Sequence, residues 1–118
     1  MKTKDRIHDV LRAEAAAIAA IDVTDDFVEA VGWLLAARGK VIATGIGKAG
    51  QVALKCAAIL SPTGTPAFFL HAAEAAHGDL GCLGADDLLI AFSVSGTSSE
   101  VLGTVTHARA LGVARVIA

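Results

Sequence analysis

Apolar residues recur at helical spacing in two stretches before Gly39. The first stretch predicts an amphipathic helix over the first twenty residues, although Glu14 lies within its apolar stripe and interrupts it. The second predicts a helix that Thr24 caps, with Asp25 and Asp26 near its positive end and Gly39 at its close. The apolar stripes are Ile7, Val10, Leu11, Ala15, Ile18 and Ile21 in the first helix, and Phe27, Val31, Leu34 and Leu35 in the second.

From Lys40 onward the pattern alternates between short β-branched runs and helical runs. The strands are predicted in "KVIATG", at Ala67 to Leu70, at Leu88 to Phe92 and in "VARVIA"; the helices are predicted in "KAGQVALKCAAIL" and in "SSEVLGTVTHARAL", which Gly112 closes. The first of these helices carries Val52, Cys56, Ile59 and Leu60 on one side. Such alternation is typical of a parallel sheet with helices on both faces, so we expect a three-layer α/β/α sandwich of flavodoxin-like, nucleotide-binding type.

A chain of 118 residues is long enough for one domain. We divide it into N-terminal helices over residues 1–39 and a parallel α/β part over residues 40–118. The last predicted strand stops at Ala118 with no helix after it, whereas parallel sheets have both faces covered. We therefore expect the α/β part to be incomplete and the sequence to be a piece of a longer chain.

The composition excludes several classes of protein. Hydrophobic residues make up 54% of the chain and the mean hydropathy is +0.61, which excludes disorder and indicates a domain buried on more than one side or one with a large subunit interface. We expect at least a dimer. The net charge of −2 and the lack of a basic run argue against nucleic acid. No apolar run approaches the ~20 residues of a membrane span, and no signal peptide is evident. We expect a cytoplasmic protein without a membrane partner.

Two cysteines, Cys56 and Cys82, are far apart in the sequence and form no CxxC pair. We expect reduced thiols, with Cys56 acting as a small hydrophobic side chain on its helix. His8 and His107 lie on predicted helices and are expected at the surface.

The loop "GIGKAG", Gly45 to Gly50, follows a strand and opens a helix. This is the context of a dinucleotide fingerprint, in which glycines let the backbone approach a pyrophosphate at the helix N-terminus. A dinucleotide site also needs an acidic residue at the end of the next strand, and Glu74 lies slightly late for that role. The loop is therefore predicted to bind a phosphate-sized anion at Gly47 with Lys48 beside it. The alternative is that Lys48 is a loop lysine that only faces solvent.

The loop "SVSGTSSE", Ser93 to Glu100, follows the third strand and starts a helix. Its hydroxyls, on Ser93, Ser95, Thr97 and Ser98, can ring a phosphate together with free backbone N–H groups, and Gly96 allows the turn. The alternative is a polar turn with Ser98 as the N-cap. Glu100 either balances the helix dipole or reaches a ligand as a base.

The stretch "LHAAEAAHGDLG" places His71, Glu74, His77 and Asp79 within nine residues. Histidines and carboxylates at short spacing can bind zinc, but His71-x-x-Glu74-x-x-His77 is no recognised zinc pattern. We expect no metal and no cofactor. His77 is a candidate acid/base group or a bend residue, His71 a possible ligand contact, Asp79 a bend stabiliser, and Glu74 has no assignment.

Together, "VIATGIGKAG", "SPTGTPAFFLHAAEAAHGDLG" and "SVSGTSSE" resemble the N-terminal part of the sugar isomerase (SIS) domain of the D-arabinose 5-phosphate isomerase family. The resemblance runs from about Lys40 to the end. It implies interconversion of D-ribulose 5-phosphate and D-arabinose 5-phosphate, in the pathway to Kdo and lipopolysaccharide. It also implies a tandem CBS pair later in the chain and assembly as a tetramer.

By the same resemblance, Ser93, Ser95 and Ser98 hold the substrate phosphate, and Lys48, His77 and Glu100 match positions implicated in catalysis. A further glutamate and histidine of the family lie beyond this sequence. Three positions depart from the family pattern, namely Ala49 for serine, Val94 for asparagine and Thr97 for a common glutamate. These departures bear on turnover more than on fold.

Two functions follow as hypotheses. The first is an aldose–ketose isomerase in which Glu100 and His77 exchange protons between C1 and C2 of the sugar and Lys48 stabilises enediolate charge or binds phosphate. The second is a phosphosugar-binding SIS module without catalysis, which Ala49 favours. The sequence does not divide the base and acid roles between Glu100 and His77.

Overall fold

Five α-helices and four parallel strands are found in the computed structural model, which describes residues 2–75 and 77–118. The elements, in chain order, are α1 (Thr3–Ala19), α2 (Asp25–Leu35), β1 (Val41–Gly45), α3 (Gly47–Leu60), β2 (Ala67–His71), α4 (Ala72–Ala75), β3 (Leu88–Ala91), α5 (Ser99–Ala110) and β4 (Arg115–Ile117). Short 3-10 turns occupy Ser61–Thr63 and Asp79–Cys82. The strands form one sheet in the order β2-β1-β3-β4.

The central strands β1 and β3 are buried on both faces, as expected inside a parallel sheet. Alternate residues of β1 point to opposite sides, so that Val41 and Ala43 pack with α3 while Ile42 packs with the end of α5 around Ala108. Trp33 and Leu34 of α2 join the α3 side. The predicted α/β/α sandwich with a parallel sheet is confirmed, and so is the strand–helix alternation from residue 40.

Helix α3 packs on the sheet mainly with its small residues, and of the predicted stripe only Cys56 and Leu60 join them. Gly50, Ala53 and Ala57 are its buried residues, whereas Val52 and Ile59 on the predicted stripe are each 54% exposed. Small side chains let the helix axis come close to the strands. The larger residues then remain outside, in an apolar groove beside Phe92.

A close backbone approach joins the end of β1 to the first turn of α3. A Cβ added at Gly45 would lie 2.9 Å from the Gly50 backbone nitrogen and 3.0 Å from the Ala49 carbonyl carbon. A Cβ at Gly50 would in turn lie 3.2 Å from the Gly45 carbonyl. Both contacts are with backbone, which cannot rotate away. This pair of glycines sets the position of the helix start that carries Lys48.

Replacing Gly45 by alanine is expected to lower the free energy of unfolding by about 1–3 kcal/mol, because the added methyl overpacks against backbone. The matched control is Gly32→Ala in α2, where an added Cβ meets nothing within 4 Å. There, alanine is expected to stabilise the helix by about 0.5–1 kcal/mol. Urea denaturation of both variants measures the difference. Equal effects of the two substitutions would contradict this account of the β1–α3 contact.

The opposite, amino edge of the sheet holds a buried carboxylate. Asp87, just before β3, accepts hydrogen bonds from the Lys40 backbone N–H at 2.7 Å, the Lys40 ammonium at 2.8 Å and the Gly84 N–H at 2.7 Å. A Cβ at Gly39 would overlap the Asp87 Oδ1 atom and lie 2.7 Å from the Asp86 carbonyl oxygen. The prediction that Gly39 ends the second helix is wrong, since α2 ends at Leu35. Gly39 instead leaves room for this carboxylate.

The N-terminal helices carry their apolar residues at the surface. Neither α1 nor α2 has a buried residue. Ile21, just after α1, is exposed as well. The exposed apolar side chains of the two helices include Ile7, Val10, Leu11, Ile18, Phe27, Val28, Val31 and Leu35. Among the described residues, no helix combines the length and the apolarity needed to cross a membrane.

Candidate functional site

The carboxyl ends of β2, β1 and β3 lie side by side, and the two glycine- and serine-containing loops begin there. Gly45 pairs with His71 of β2, and Thr44 pairs with Ala91 of β3. The predicted loops after β1 and β3 therefore start on neighbouring strands. Ligands of open α/β sheets bind at this edge.

A cavity of about 230 Å³ lies between these two loops. Its polar lining comes from the Lys48 side of the first loop and from three serines of the second. The lining residues are Lys48, Ser93, Ser95 and Ser98, together with Ile46, Ala49, Phe92, Val94 and Val101. The structure thus brings together one cation and three hydroxyl residues that the sequence predicts to hold a phosphate.

Two of the larger cavities have different linings. One of about 410 Å³ lies at the amino edge of the sheet between Trp33, Arg38 and Arg115, and one of about 580 Å³ is the apolar groove along α3. Neither is lined by the serine loop. Volume alone does not select a phosphate site, because a phosphate needs donors and positive charge more than it needs space.

The serine loop is ordered by its own hydrogen bonds. The Gly96 N–H donates to the Ser93 Oγ atom at 2.9 Å, and the Ser95 Oγ atom accepts from the Thr97 N–H at 3.1 Å and the Thr97 hydroxyl at 3.0 Å. Gly96 has a φ of 69°, a left-handed conformation that suits the turn predicted at this residue. Since both serine oxygens already accept, their own O–H groups remain to donate to an anion.

Glu100 lies in the first turn of α5 and is exposed. Its carboxylate accepts hydrogen bonds from the Ser98 hydroxyl at 3.3 Å and the Ser99 hydroxyl at 3.2 Å. Its own backbone N–H, then the Ser99 and Ser98 hydroxyls, hold the pKa of Glu100 below its ordinary value. Ser98 is the N-cap residue by position, but its hydroxyl bonds to Glu100. Glu100 is consequently an ionised group beside the serine loop.

Lys48 and Gly47 form the start of α3. Gly47 is exposed with a φ of 60°, and Lys48 follows it as an exposed residue at the cavity wall. The backbone N–H groups of this first helical turn have no partner within the helix, and the helix dipole adds partial positive charge. Lys48 is therefore a cation at a helix end that already favours anions.

The histidine segment begins at the end of β2. His71 is half-buried, and its Nδ1 atom accepts a hydrogen bond from the Ala73 N–H at 3.2 Å. His77 is exposed in the turn after α4, where its backbone N–H donates to the Glu74 carbonyl at 2.9 Å. Neither histidine lines the 230 Å³ cavity.

Among the described residues no cluster of three metal-ligating side chains occurs. The predicted role of Asp79 in the bend lies outside what the structure describes, as its side chain is not included.

Several features at this edge were not predicted from the sequence. The buried Thr44 hydroxyl donates to the Leu70 carbonyl and ties β1 to β2 just before both loops start. Phe92 and Val101 close the floor of the cavity. A hydroxyl residue next to the glycine of a buried strand was the signal for Thr44, whereas the apolar floor depends on packing that no local pattern shows.

The cysteines and outer histidines have the expected places. Both thiols are free, and burial raises the pKa of the Cys56 thiol, which keeps it protonated as a small hydrophobic group. Cys82 is exposed. His8 and His107 are exposed on α1 and α5.

A family model described as the SIS domain matches residues 34–118. The chain belongs to the SIS domain family. The match begins within α2 and includes all four strands and both loops of the candidate site, so the SIS domain contains every residue assigned to the site above.

Named relatives of this SIS domain are arabinose 5-phosphate isomerases. It is 42% identical to KdsD of Pseudomonas aeruginosa over 114 residues, which are 92% of this chain and 35% of that protein. It is 51% identical to GutQ of Escherichia coli K12 over 77 residues, or 65% of this chain and 24% of that protein. The chain spans about a third or less of these relatives.

Solved structures show the same fold. A putative phosphosugar isomerase involved in capsule formation from Bacteroides fragilis superposes with a TM-score of 0.91 and 37% identity, covering 98% of this chain and 64% of that chain. The c3406 protein of E. coli CFT073, solved in complex with arabinose 5-phosphate, gives a TM-score of 0.84 and 37% identity, covering 95% and 62%.

Proposed function

We propose that this SIS domain belongs to an aldose–ketose isomerase that interconverts D-ribulose 5-phosphate and D-arabinose 5-phosphate. The observation that carries the proposal is the cavity in which Lys48 meets Ser93, Ser95 and Ser98. The names of the relatives and the arabinose 5-phosphate bound to the E. coli CFT073 protein support the choice of substrate.

Binding of the substrate phosphate is the first requirement of such a reaction. The Ser93 and Ser95 O–H groups donate to the phosphate oxygens, the helix start at Gly47 supplies N–H groups, and Lys48 balances the charge. This binding energy holds the distant C1 and C2 atoms in place for reaction. The apolar side chains of Ala49 and Val94 replace polar ones of the family pattern without removing this set.

Proton transfer is the second requirement. The isomerisation takes a proton from one carbon, passes through a cis-enediolate and returns a proton to the neighbouring carbon. We assign the base to Glu100, since its hydroxyl partners keep the carboxylate ionised, and the acid to His77. Lys48 stabilises the enediolate oxygen or the phosphate.

The test is incubation of the protein with D-ribulose 5-phosphate and detection of D-arabinose 5-phosphate. Product formation that Ser95→Ala weakens mainly through a higher KM supports the proposal. Thr106→Ala is the matched control, since Thr106 is an exposed hydroxyl residue of α5 outside the cavity lining. Binding of the sugar phosphate in calorimetry without any product would instead favour the second candidate, a non-catalytic phosphosugar-binding module. The departures from the family pattern at Ala49 and Val94 support this second candidate.

We also propose that α1 and α2 form the interface of a homo-oligomer, a dimer or a tetramer. A 17-residue helix with no buried side chain gains little stability alone, and its apolar stripe gains most from a partner helix. Each fully buried apolar side chain contributes about 1.5–3 kcal/mol, so the exposed set on two helices is enough for stable association.

Light scattering of the Ile18→Glu variant tests this interface. Ile18 is 70% exposed on α1, and a glutamate there is expected to shift the protein to a lower mass at micromolar concentration. Arg12→Ala on the same helix is the control, because Arg12 is exposed and pairs only with Asp9 among the described ion pairs. A monomeric parent protein would contradict the proposal.

A further inference from the structure

The short helix α4 follows β2 without a connecting residue, so His71 is both the last residue of the strand and the residue before the helix. The first N–H groups of a helix have no carbonyl partner within it. At this position a side-chain acceptor usually bonds to the N–H of the second helical residue. The bond from the Ala73 N–H to the His71 Nδ1 atom, 3.2 Å long, has this pattern.

Histidine can cap a helix only in one state of its ring. The Nδ1 atom accepts a hydrogen bond when it carries no proton, so the ring proton must sit on Nε2. The ring is half-buried, and its edge-on contact with Phe69, at 6.1 Å between ring centres, limits its rotation. The contact with Phe69 and the bond to Ala73 together define the orientation of the His71 ring.

A backbone hydrogen bond joins α4 to His77. The carbonyl of Glu74 in α4 accepts the His77 backbone N–H at 2.9 Å, and Gly78 then turns the chain with a φ of 113°. The strand end at His71 is itself in register with Gly45, at the start of the Lys48 loop. His71 consequently links the position of the His77 turn to the sheet edge at which the phosphate cavity lies.

We propose that His71 is a positioning residue, whose neutral imidazole caps α4 through Nδ1 and thereby sets the place of His77. Its effect on turnover rests on the isomerase function proposed above, whereas its effect on α4 does not.

Two variants separate the cap from the ring. His71→Asn supplies a side-chain oxygen of the kind preferred at an N-cap, while His71→Phe keeps an aromatic ring beside Phe69 but has no acceptor. In His71→Phe we expect amide hydrogens of residues 72–77 to exchange about fivefold faster than in the parent protein, a loss typical of a missing cap. In His71→Asn we expect exchange within about twofold of the parent.

The value of kcat is expected to depend on whether residue 71 can cap α4. In His71→Phe, kcat should fall about tenfold. KM should change less than about twofold, because the residues proposed to bind the phosphate lie in the Lys48 and serine loops. His71→Asn should recover most of kcat. Loss of kcat in both variants while α4 stays protected in His71→Asn would overturn the proposal and assign the ring a direct substrate contact.

The ring itself gives a readout without activity. A long-range proton–nitrogen correlation spectrum of the parent protein is expected to show His71 as the Nε2–H tautomer. A dominant Nδ1–H tautomer, or unchanged exchange of residues 72–77 in His71→Phe, would overturn the proposal. If the parent protein lacks isomerase activity, the proposed function fails. The spectrum and the exchange rates then decide by themselves whether His71 caps α4.

Discussion

Replacing Glu100 by glutamine is expected to lower kcat for D-ribulose 5-phosphate about 100- to 1000-fold, the range for loss of a general base. Glutamine keeps the size of the side chain and can still accept from the Ser98 and Ser99 hydroxyls. The serine loop should therefore stay in place and KM should change little. Steady-state kinetics measure both constants, and Glu29→Gln on α2 is the control for loss of one carboxylate far from the cavity.

The pH profile separates the two candidates for the base. Hydrogen bonds lower the pKa of Glu100 below its ordinary value of 4.5, so this carboxylate stays ionised as the pH falls through 5. If Glu100 is the base, the acidic limb of kcat/KM lies below pH 4.5. An acidic limb between about pH 6 and 7, where histidine side chains ordinarily titrate, would contradict that assignment.

Replacing Asp87 by asparagine is expected to lower the free energy of unfolding by about 2–3 kcal/mol at neutral pH. The Asp87 side chain is 4% exposed and accepts three hydrogen bonds from Lys40 and Gly84. An asparagine amide turns one acceptor into a donor that faces these donors. Urea denaturation measures the loss, and Asp86→Asn, at the exposed neighbouring position, is expected to stay within about 0.5 kcal/mol.

The same carboxylate predicts how stability depends on pH. Burial alone would raise the pKa of Asp87, but the hydrogen bonds from Lys40 and Gly84 and the Lys40 charge lower it below its ordinary value of 3.8. A carboxyl with a lowered folded pKa stabilises the protein above pH 3.8, and the stabilisation is lost as the pH falls toward the folded pKa. Between about pH 5 and pH 3 the parent should therefore lose more stability than Asp87→Asn does. Parallel curves for the two proteins would contradict this role.

The local pattern was enough to predict the strands and most of the helices. Val41 to Gly45 is a β-branched and small-residue run closed by glycine, and its burial on both faces agrees with a central parallel strand. Periodicity placed Cys56 and Leu60 on the packing side of α3. It did not predict Ala53 and Ala57, which look unremarkable beside Val52 and Ile59. Their burial follows from how closely the helix approaches the sheet, which the Gly45 contact sets.

The candidate site was predictable where it depends on strand ends. Lys48 and Ser95 each follow a strand, so their loops were expected at one edge, and the structure places both at one cavity. Contacts between distant residues were not predictable in this way. Lys40 and Asp87 are 47 positions apart, and no local pattern shows that their strands start side by side.

The single most direct measurement is nuclear magnetic resonance of D-ribulose 5-phosphate incubated with the protein in deuterium oxide. An enediolate mechanism at the Lys48–serine cavity predicts formation of D-arabinose 5-phosphate with deuterium at C2, and loss of that signal in Glu100→Gln. No product and no deuterium incorporation by a folded protein that binds the substrate would contradict the isomerase function.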